Sequence, residues 1–252
     1  MRPLLPPATW LLALLLCSGS LTALAAQTQP GIERVRQSLQ VLLPGLQPDS
    51  IRATPVENLY EVVIGSRLVY VSGDGRYLIE GEITDLERQK NLTTPRLNQV
   101  TLAAIDAIGE QQMLIFEAQG ETRHTLTVFT DIDSAYSRKL QQQIGEYTGR
   151  GIRVRYLFFP RAGSGSASYD KAVAVWCAPD RRQALEQAMA GEPVESPACE
   201  NPVEQHLALA GRLGVSGAPV LVLDSGDMLP GYVTAERLFE VLAKMEGLKQ
   251  VE

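Results

Sequence analysis

Apolar residues recur along this chain in two rhythms. In "GIERVRQSLQVLL" Ile32, Val35, Leu39 and Leu42 follow a helical spacing, and Pro44 and Gly45 end the run. The next runs, "LYEVVI" and "RLVYVS", are short and rich in β-branched and aromatic residues, as strands are. "GDG" at 73–75 reads as a hairpin turn leading into "RYLIEGEI". One helix on a small antiparallel sheet is therefore expected over residues 26–88. A unit of about 60 residues buries too little surface to be robust alone, and an open sheet edge invites pairing with another chain. The module is read as a dimerisation unit.

"DLERQKNLTTP" is polar and ends at Pro95, so it reads as a linker. Leu97, Val100, Leu102, Ala104, Ile105 and Ile108 then place an amphipathic helix over 96–108, with Gly109 at its C-terminal cap. Linker and helix together occupy residues 89–110. Asn91-Leu92-Thr93 matches a glycosylation sequon, a match that is usually noise if the chain is bacterial.

A second unit is expected over 111–252. "QMLIFEA" and "HTLTVFTD" are strands separated by a polar turn, a helix is expected from Ser134 to Tyr147, and "IRVRYLFFP" is a further strand. Strand, helix and strand with this connection predict a right-handed crossover and parallel pairing. Residues 165–213 are mostly helical, interrupted by Gly and Pro. "APVLVLD" and "GDMLPGY" give two more strands, and "TAERLFEVLAKMEG" a closing helix capped by Thr234. The class is α/β with an α+β module in front of it.

Composition changes this picture little. Of 252 residues, 45% are hydrophobic and 21% charged, which is ordinary for a globular chain. The formal net charge of −6, with no basic cluster, argues against nucleic acid as a partner. The first stretch, "MRPLLPPATWLLALLLCSGSLTALAAQ", has one basic residue, an apolar run around Leu11–Leu16 and small residues at 23–25. That is the layout of a secretory signal peptide, assigned to residues 1–25, and its apolar run is too short to span a membrane. The competing reading, a lipoprotein acylated at Cys17, meets Leu16 where a small residue is wanted. No later segment is long and apolar enough for a span, so an exported chain without a membrane segment is expected.

The mature chain keeps two cysteines, Cys177 and Cys199. An even pair in an exported protein is read as one structural disulfide. Their spacing is too wide for a Cys-x-x-Cys redox pair, and with no histidine close by in sequence they make a poor zinc site. Cys177 follows Val175 and Trp176 in an apolar helical segment, which suggests burial. No metal and no cofactor is implied.

The element order is that of the thioredoxin fold, and four landmarks resemble periplasmic disulfide isomerases of the DsbC/DsbG type. "TVFTDIDSAYSRKL" resembles their active-site strand and helix start, and "GIRVRYLFFPRAG" the following strand and loop. "AVWCAPD…PACE" resembles the segment with their structural disulfide, and "LGVSGAPVLVL" the loop with a cis-proline opposite the active site. The resemblance implies a cystatin-like dimerisation domain, a linker helix and a thioredoxin-like domain with a helical insertion at about 165–213. It also implies a periplasmic location and a homodimer.

The departure lies at the chemistry. Where the family carries Cys-Gly-Tyr-Cys this chain has Ser134-Ala135-Tyr136-Ser137. Disulfide exchange needs a thiolate, and a serine hydroxyl neither ionises at neutral pH nor forms a mixed disulfide. A serine hydrolase would need a base in reach, and the only histidines are His124 and His206. Ser134 instead suits a helix N-cap, Asp133 suits the helix dipole, and Ser137 is expected to face solvent or bond locally. Ala135 replaces the family's glycine, which speaks for a natural sequence rather than a substituted one.

Two functions compete at this point. One is a dimeric binder of unfolded exported proteins, with Tyr136, Ala218 and Pro219 as the binding surface. The other is a thiol–disulfide isomerase working through Cys177 and Cys199.

Overall fold

The computed structural model describes residues 30–249, apart from 46 and 66. The signal-peptide assignment and Cys17 lie outside those residues. Helix α1 (Pro30–Leu42) opens with proline at its first position, where a missing N–H costs nothing. Its Val35 and Leu39 are buried, and Ile32 packs beside them. Leu42, expected on the same face, is exposed together with Val41 and Leu43. The helix ends before that turn reaches the sheet.

The sheet is antiparallel, in the order β1-β2-β3-β4. Its strands are β1 (Ser50–Ala53), β2 (Leu59–Ile64), β3 (Arg67–Ser72) and β4 (Leu78–Ile79). Strand β1, too short and polar to stand out in the sequence, pairs Ile51 with Val62. "RYLIEGEI" was expected as a full strand. Only Leu78 and Ile79 pair, and both are exposed on the outer edge. One face of the sheet packs Val62, Val69 and Val71 on α1. The other packs Val63, Leu68 and Tyr70 against Leu97 and Val100 of the next helix.

The polar linker is not structureless. Within it β5 (Thr84–Asp85) pairs with β6 (Lys90–Asn91). Helix α2 (Thr93–Asp106) then starts before Pro95 rather than after it. Proline is tolerated in a first turn, where backbone N–H groups lack helical partners. The Asn91 carboxamide caps this start, accepting from the backbone N–H groups of Thr93 and Thr94 at 2.8 Å each.

Helix α2 ties the two units together. Asn98 Nδ2 donates to Asp227 Oδ1 at 2.8 Å. Beside that bond Gly226 has φ +91°, and a Cβ there would lie 2.5 Å from the Asn98 carbonyl oxygen. Only glycine allows so close an approach in that conformation.

The second unit is a mixed sheet in the order β11-β10-β8-β9-β7. Strands β7 (Leu114–Phe116) and β8 (His124–Thr130) are neighbours in sequence but do not pair. Strand β9 (Ile152–Phe158) lies between them, parallel to β8 and antiparallel to β7. The crossover runs through α3 (Ala135–Gln142) and α4 (Ile144–Thr148), so the single expected helix is broken at Gln143. The insertion holds α5 (Ala167–Cys177), α6 (Arg181–Ala190) and α7 (Val203–Arg212). Strands β10 (Val220–Val222) and β11 (Met228–Pro230) and helix α8 (Ala235–Lys249) complete the thioredoxin-like domain. The Ala218–Pro219 peptide bond is cis.

The core lies on both faces of this sheet. Leu126, Val128, Val154 and Tyr156 bury one face against Leu140, Val175 and Leu238, and Phe129, Leu157 and Val220 bury the other against Ile105 and Leu209. Among the described residues no helix is long and apolar enough to cross a membrane.

Candidate functional site

Strand β8 delivers the chain to the start of α3, and the site is built at that junction. Ser134 has extended backbone (φ −80°, ψ 122°) and caps α3: its Oγ accepts from the Ser137 N–H at 3.3 Å. The same hydroxyl donates to the carbonyl of Ala218 at 2.8 Å, across the gap to the loop before β10. Ser134 is buried, and its hydrogen and one of its two lone pairs are used inside the protein.

Ser137 is buried too, at 1% exposure, so of the two expected alternatives it bonds locally and does not face solvent. It sits in the first turn on the face turned towards β8, and its Oγ accepts from the backbone N–H of Asp131 at 3.4 Å. Asp131 is buried beneath it. One of its carboxylate oxygens accepts from the Asp133 N–H at 3.0 Å. The other accepts from the N–H and Nε of Arg161, at 3.2 and 2.8 Å. Asp133 at the rim pairs with Lys171 at 2.7 Å and Arg138 at 3.1 Å. The charges around the serines are thus matched in place, and the loop 131–134 is fixed by side chains from α3, α5 and the loop after β9.

Tyr136 is 63% exposed, by far the most open aromatic ring at this junction. It stacks on Tyr232, with centroids 6.5 Å apart and planes 17° from parallel. Tyr232 is held in turn by a hydrogen bond from its hydroxyl to Gln143 Oε1, and Lys139 Nζ lies 4.8 Å from its ring centroid. The neighbouring Gly231 N–H donates to the Pro219 carbonyl at 2.8 Å. Tyr136, Tyr232 and the 217–219 loop therefore form one wall beside the helix start. Ala218 is half-buried, whereas Pro219 is buried and shapes the loop from below. Tyr232 was not singled out in the sequence. The only signal for it is its place directly after Gly231 in "LPGY", just past strand β11, whose neighbour β10 leads out of the proline loop.

No base serves either serine. His124 begins β8, and the seven residues of that strand put it about 20 Å from the helix start. Its Nδ1 lies 2.8 Å from Asp224 Oδ2. His206 is fully buried, stacked near Phe158 and edge-on to Trp176. Its Nδ1 accepts from the Phe158 N–H at 3.1 Å and its Nε2–H donates to the Gln112 carbonyl at 2.8 Å. Burial pushes its pKa down to about 4, so it is a neutral core residue.

The two cysteines lie elsewhere. Cys177 ends α5 and is bonded to Cys199, with Cα atoms 5.6 Å apart. Cys177 is half-buried against the core rather than fully buried, and Cys199 is exposed. No group of three or more His, Cys, Asp or Glu side chains suited to a metal occurs among the described residues.

Comparison with known proteins agrees with this architecture. Residues 22–94 match the model of the disulfide bond isomerase protein N-terminal domain, and residues 111–246 that of a thioredoxin-like domain. The thiol:disulfide interchange protein DsbC of Salmonella typhimurium is 37% identical over 79% of the chain and 81% of its own length. DsbC of Escherichia coli is 34% identical over 88% and 92%, and that of Haemophilus influenzae 31% over 90% and 95%.

Proposed function

The chain belongs to the DsbC-type thiol:disulfide interchange family, and we propose that within it this protein is a dimeric, redox-inactive binder of unfolded exported proteins. The observation that carries the reading is the position of Ser134 and Ser137. They stand at the strand-to-helix junction whose motif resembles the family's Cys-Gly-Tyr-Cys. The sequence holds three cysteines, Cys17, Cys177 and Cys199, and the last two are bonded to each other in the insertion. No thiol is thus available at the α3 start to attack a disulfide.

A binding role uses what remains there. Tyr136 offers an exposed aromatic face of the kind that anchors protein contacts. Ala218 and Pro219 form the loop across from it, with Tyr232 supporting the ring. The client is an extended, apolar segment of another protein, recognised by ring stacking and by backbone pairing.

The homodimer rests on the N-terminal unit, taken as residues 26–88, with the linker at 89–110 and the thioredoxin-like domain at 111–252. Strand β4 is an outer edge with Tyr77, Leu78 and Ile79 exposed. An apolar edge left open would recruit other chains without control, and pairing it with the same edge of a second copy removes that hazard. The signal-peptide reading of residues 1–25 and membership of the family support a periplasmic location.

The test is a light-scattering assay with a chemically denatured client diluted into buffer free of thiols. The protein should suppress aggregation at near-stoichiometric amounts while the client's disulfide pattern, read by mass spectrometry, stays unchanged. Reshuffled client disulfides, or no suppression at any ratio, would refute the reading.

A further inference from the structure

A cleft of about 370 Å³ lies between the two units, on the other side of the molecule's joint from any residue of the serine junction. The N-terminal sheet forms one wall, α2 forms the second, and the end of α7 closes it. The units meet at its edge: a Cβ on Gly65, in the turn between β2 and β3, would lie 3.1 Å from the Arg212 carbonyl oxygen. Three arginines line this one cleft, Arg52 from β1, Arg96 from α2 and Arg212 from α7.

The Arg96 side chain is only 16% exposed. Its Nε donates to Glu61 Oε1 at 2.6 Å and its Nη2 to Ser50 Oγ at 3.3 Å. A guanidinium carries five N–H donors, so the other three have no protein partner among the described residues. Arg52 and Arg212 have neither a hydrogen bond nor an ion pair from their side chains among those residues. The two acids beside them are committed, Glu61 to Arg96 and Asp49 to the Gly65 N–H at 2.6 Å. Three cations against two carboxylates leave one positive charge in excess, on a chain whose formal net charge is −6. A lone surface arginine is satisfied by water. Three that share one cleft repel one another, and an anion placed among them relieves that.

We propose that this cleft binds a small organic carboxylate with an apolar body. The carboxylate accepts from the unspent N–H groups of the arginines, whose planar fork matches two oxygens. The body lies on Val63, Val100 and Ala103, and the short side chains at 103, 104 and 107 leave room for it. One carboxylate balances the one excess charge. An inorganic anion, charged all round, gains nothing from the apolar wall. The bound acid touches both units and so fastens the N-terminal sheet to the thioredoxin-like domain. The site shares no residue with the Ser134 junction, and the inference does not depend on client binding.

The experiment is isothermal titration of the protein with benzoate and with 4-methylpentanoate, against benzamide, which keeps the shape of benzoate without its charge. Each carboxylate should bind once per chain, and benzamide about tenfold more weakly or not at all. Arg52→Gln and Arg212→Gln, both at exposed positions, should each weaken benzoate binding by about tenfold or more. Ala103→Phe, also at an exposed position, fills the cleft without changing its charge and should abolish binding. In parallel, the methyl signals of Ala103, Ala104 and Ala107, read by NMR, should move when benzoate is added to the parent. No binding of either carboxylate by the parent, equal binding of benzamide, or unmoved alanine methyls would overturn the proposal. Binding that survives both Arg52→Gln/Arg212→Gln and Ala103→Phe would put the acid elsewhere and overturn it equally.

Discussion

Tyr136 lies stacked on Tyr232, ring centroids 6.5 Å apart, one ring open to solvent and the other held by Gln143 and Lys139. The exposed ring is positioned by the covered one, so the two act as a unit. Truncating an aromatic anchor at the centre of a contact weakens binding by about tenfold or more, and loss of an aromatic neighbour costs about threefold to tenfold. Tyr136→Ala should weaken client binding by about tenfold, and Tyr232→Ala by about threefold. The double variant should be little worse than Tyr136→Ala alone. Isothermal titration with an unfolded client checks all three.

Strand β4 carries the second prediction. Leu78 and Ile79 are exposed on an outer edge, and edge lysines are a common natural block to strand pairing. Leu78→Lys/Ile79→Lys should convert the dimer to a monomer in sedimentation velocity at micromolar concentration, with an unchanged circular dichroism spectrum. A dimer that survives both charges would place the interface elsewhere.

His206 makes stability depend on pH. Its folded pKa is lowered to about 4 by burial, against about 6.5 for a free imidazole. The unfolded chain therefore binds a proton below about pH 6.5 that the folded chain refuses until about pH 4. Stability should be full above pH 6.5 and fall as the pH drops through that window, by on the order of 3 kcal/mol in all. His206→Gln should lower the stability at pH 7 and flatten this slope. Urea unfolding at half-unit pH steps gives both quantities.

The bond between Cys177 and Cys199 closes a loop with a sequence separation of 22. In the chain-entropy account such a loop contributes about 3 kcal/mol. Cys177→Ala/Cys199→Ala should therefore unfold at lower urea yet bind an unfolded client with the parent's Kd. A loss of binding with the fold intact would give the pair a role beyond stability.

Much of this was legible in the sequence because the signals are strong and local. "TLTVFT" and "IRVRYLFF" are short runs rich in β-branched and aromatic residues, as strands are, and Ser134 is a helix cap by its chemistry alone. What stayed hidden depends on partners distant in the chain. "LIF" at 114–116 gives no sign that it pairs with β9 instead of its neighbour β8. Strand β1 is recognisable only through its register with β2. Tyr232 gains meaning only when the chain just past β11 sets it beside α3, and Ser137 is buried only because Asp131 and the end of β8 lie under it. The apolar neighbours of Cys177 suggest burial, but it ends α5 and is only half-buried there.

The central claim is that this family member has no disulfide chemistry and keeps the scaffold for binding. The most direct measurement is the rate of insulin disulfide reduction by dithiothreitol, followed by turbidity, with the parent and with Ser134→Cys/Ser137→Cys. The account predicts that the parent leaves the uncatalysed rate unchanged and that the double variant accelerates it. Acceleration by the parent would contradict the account, because Cys177 and Cys199, the only cysteines among the described residues, would then be doing the exchange.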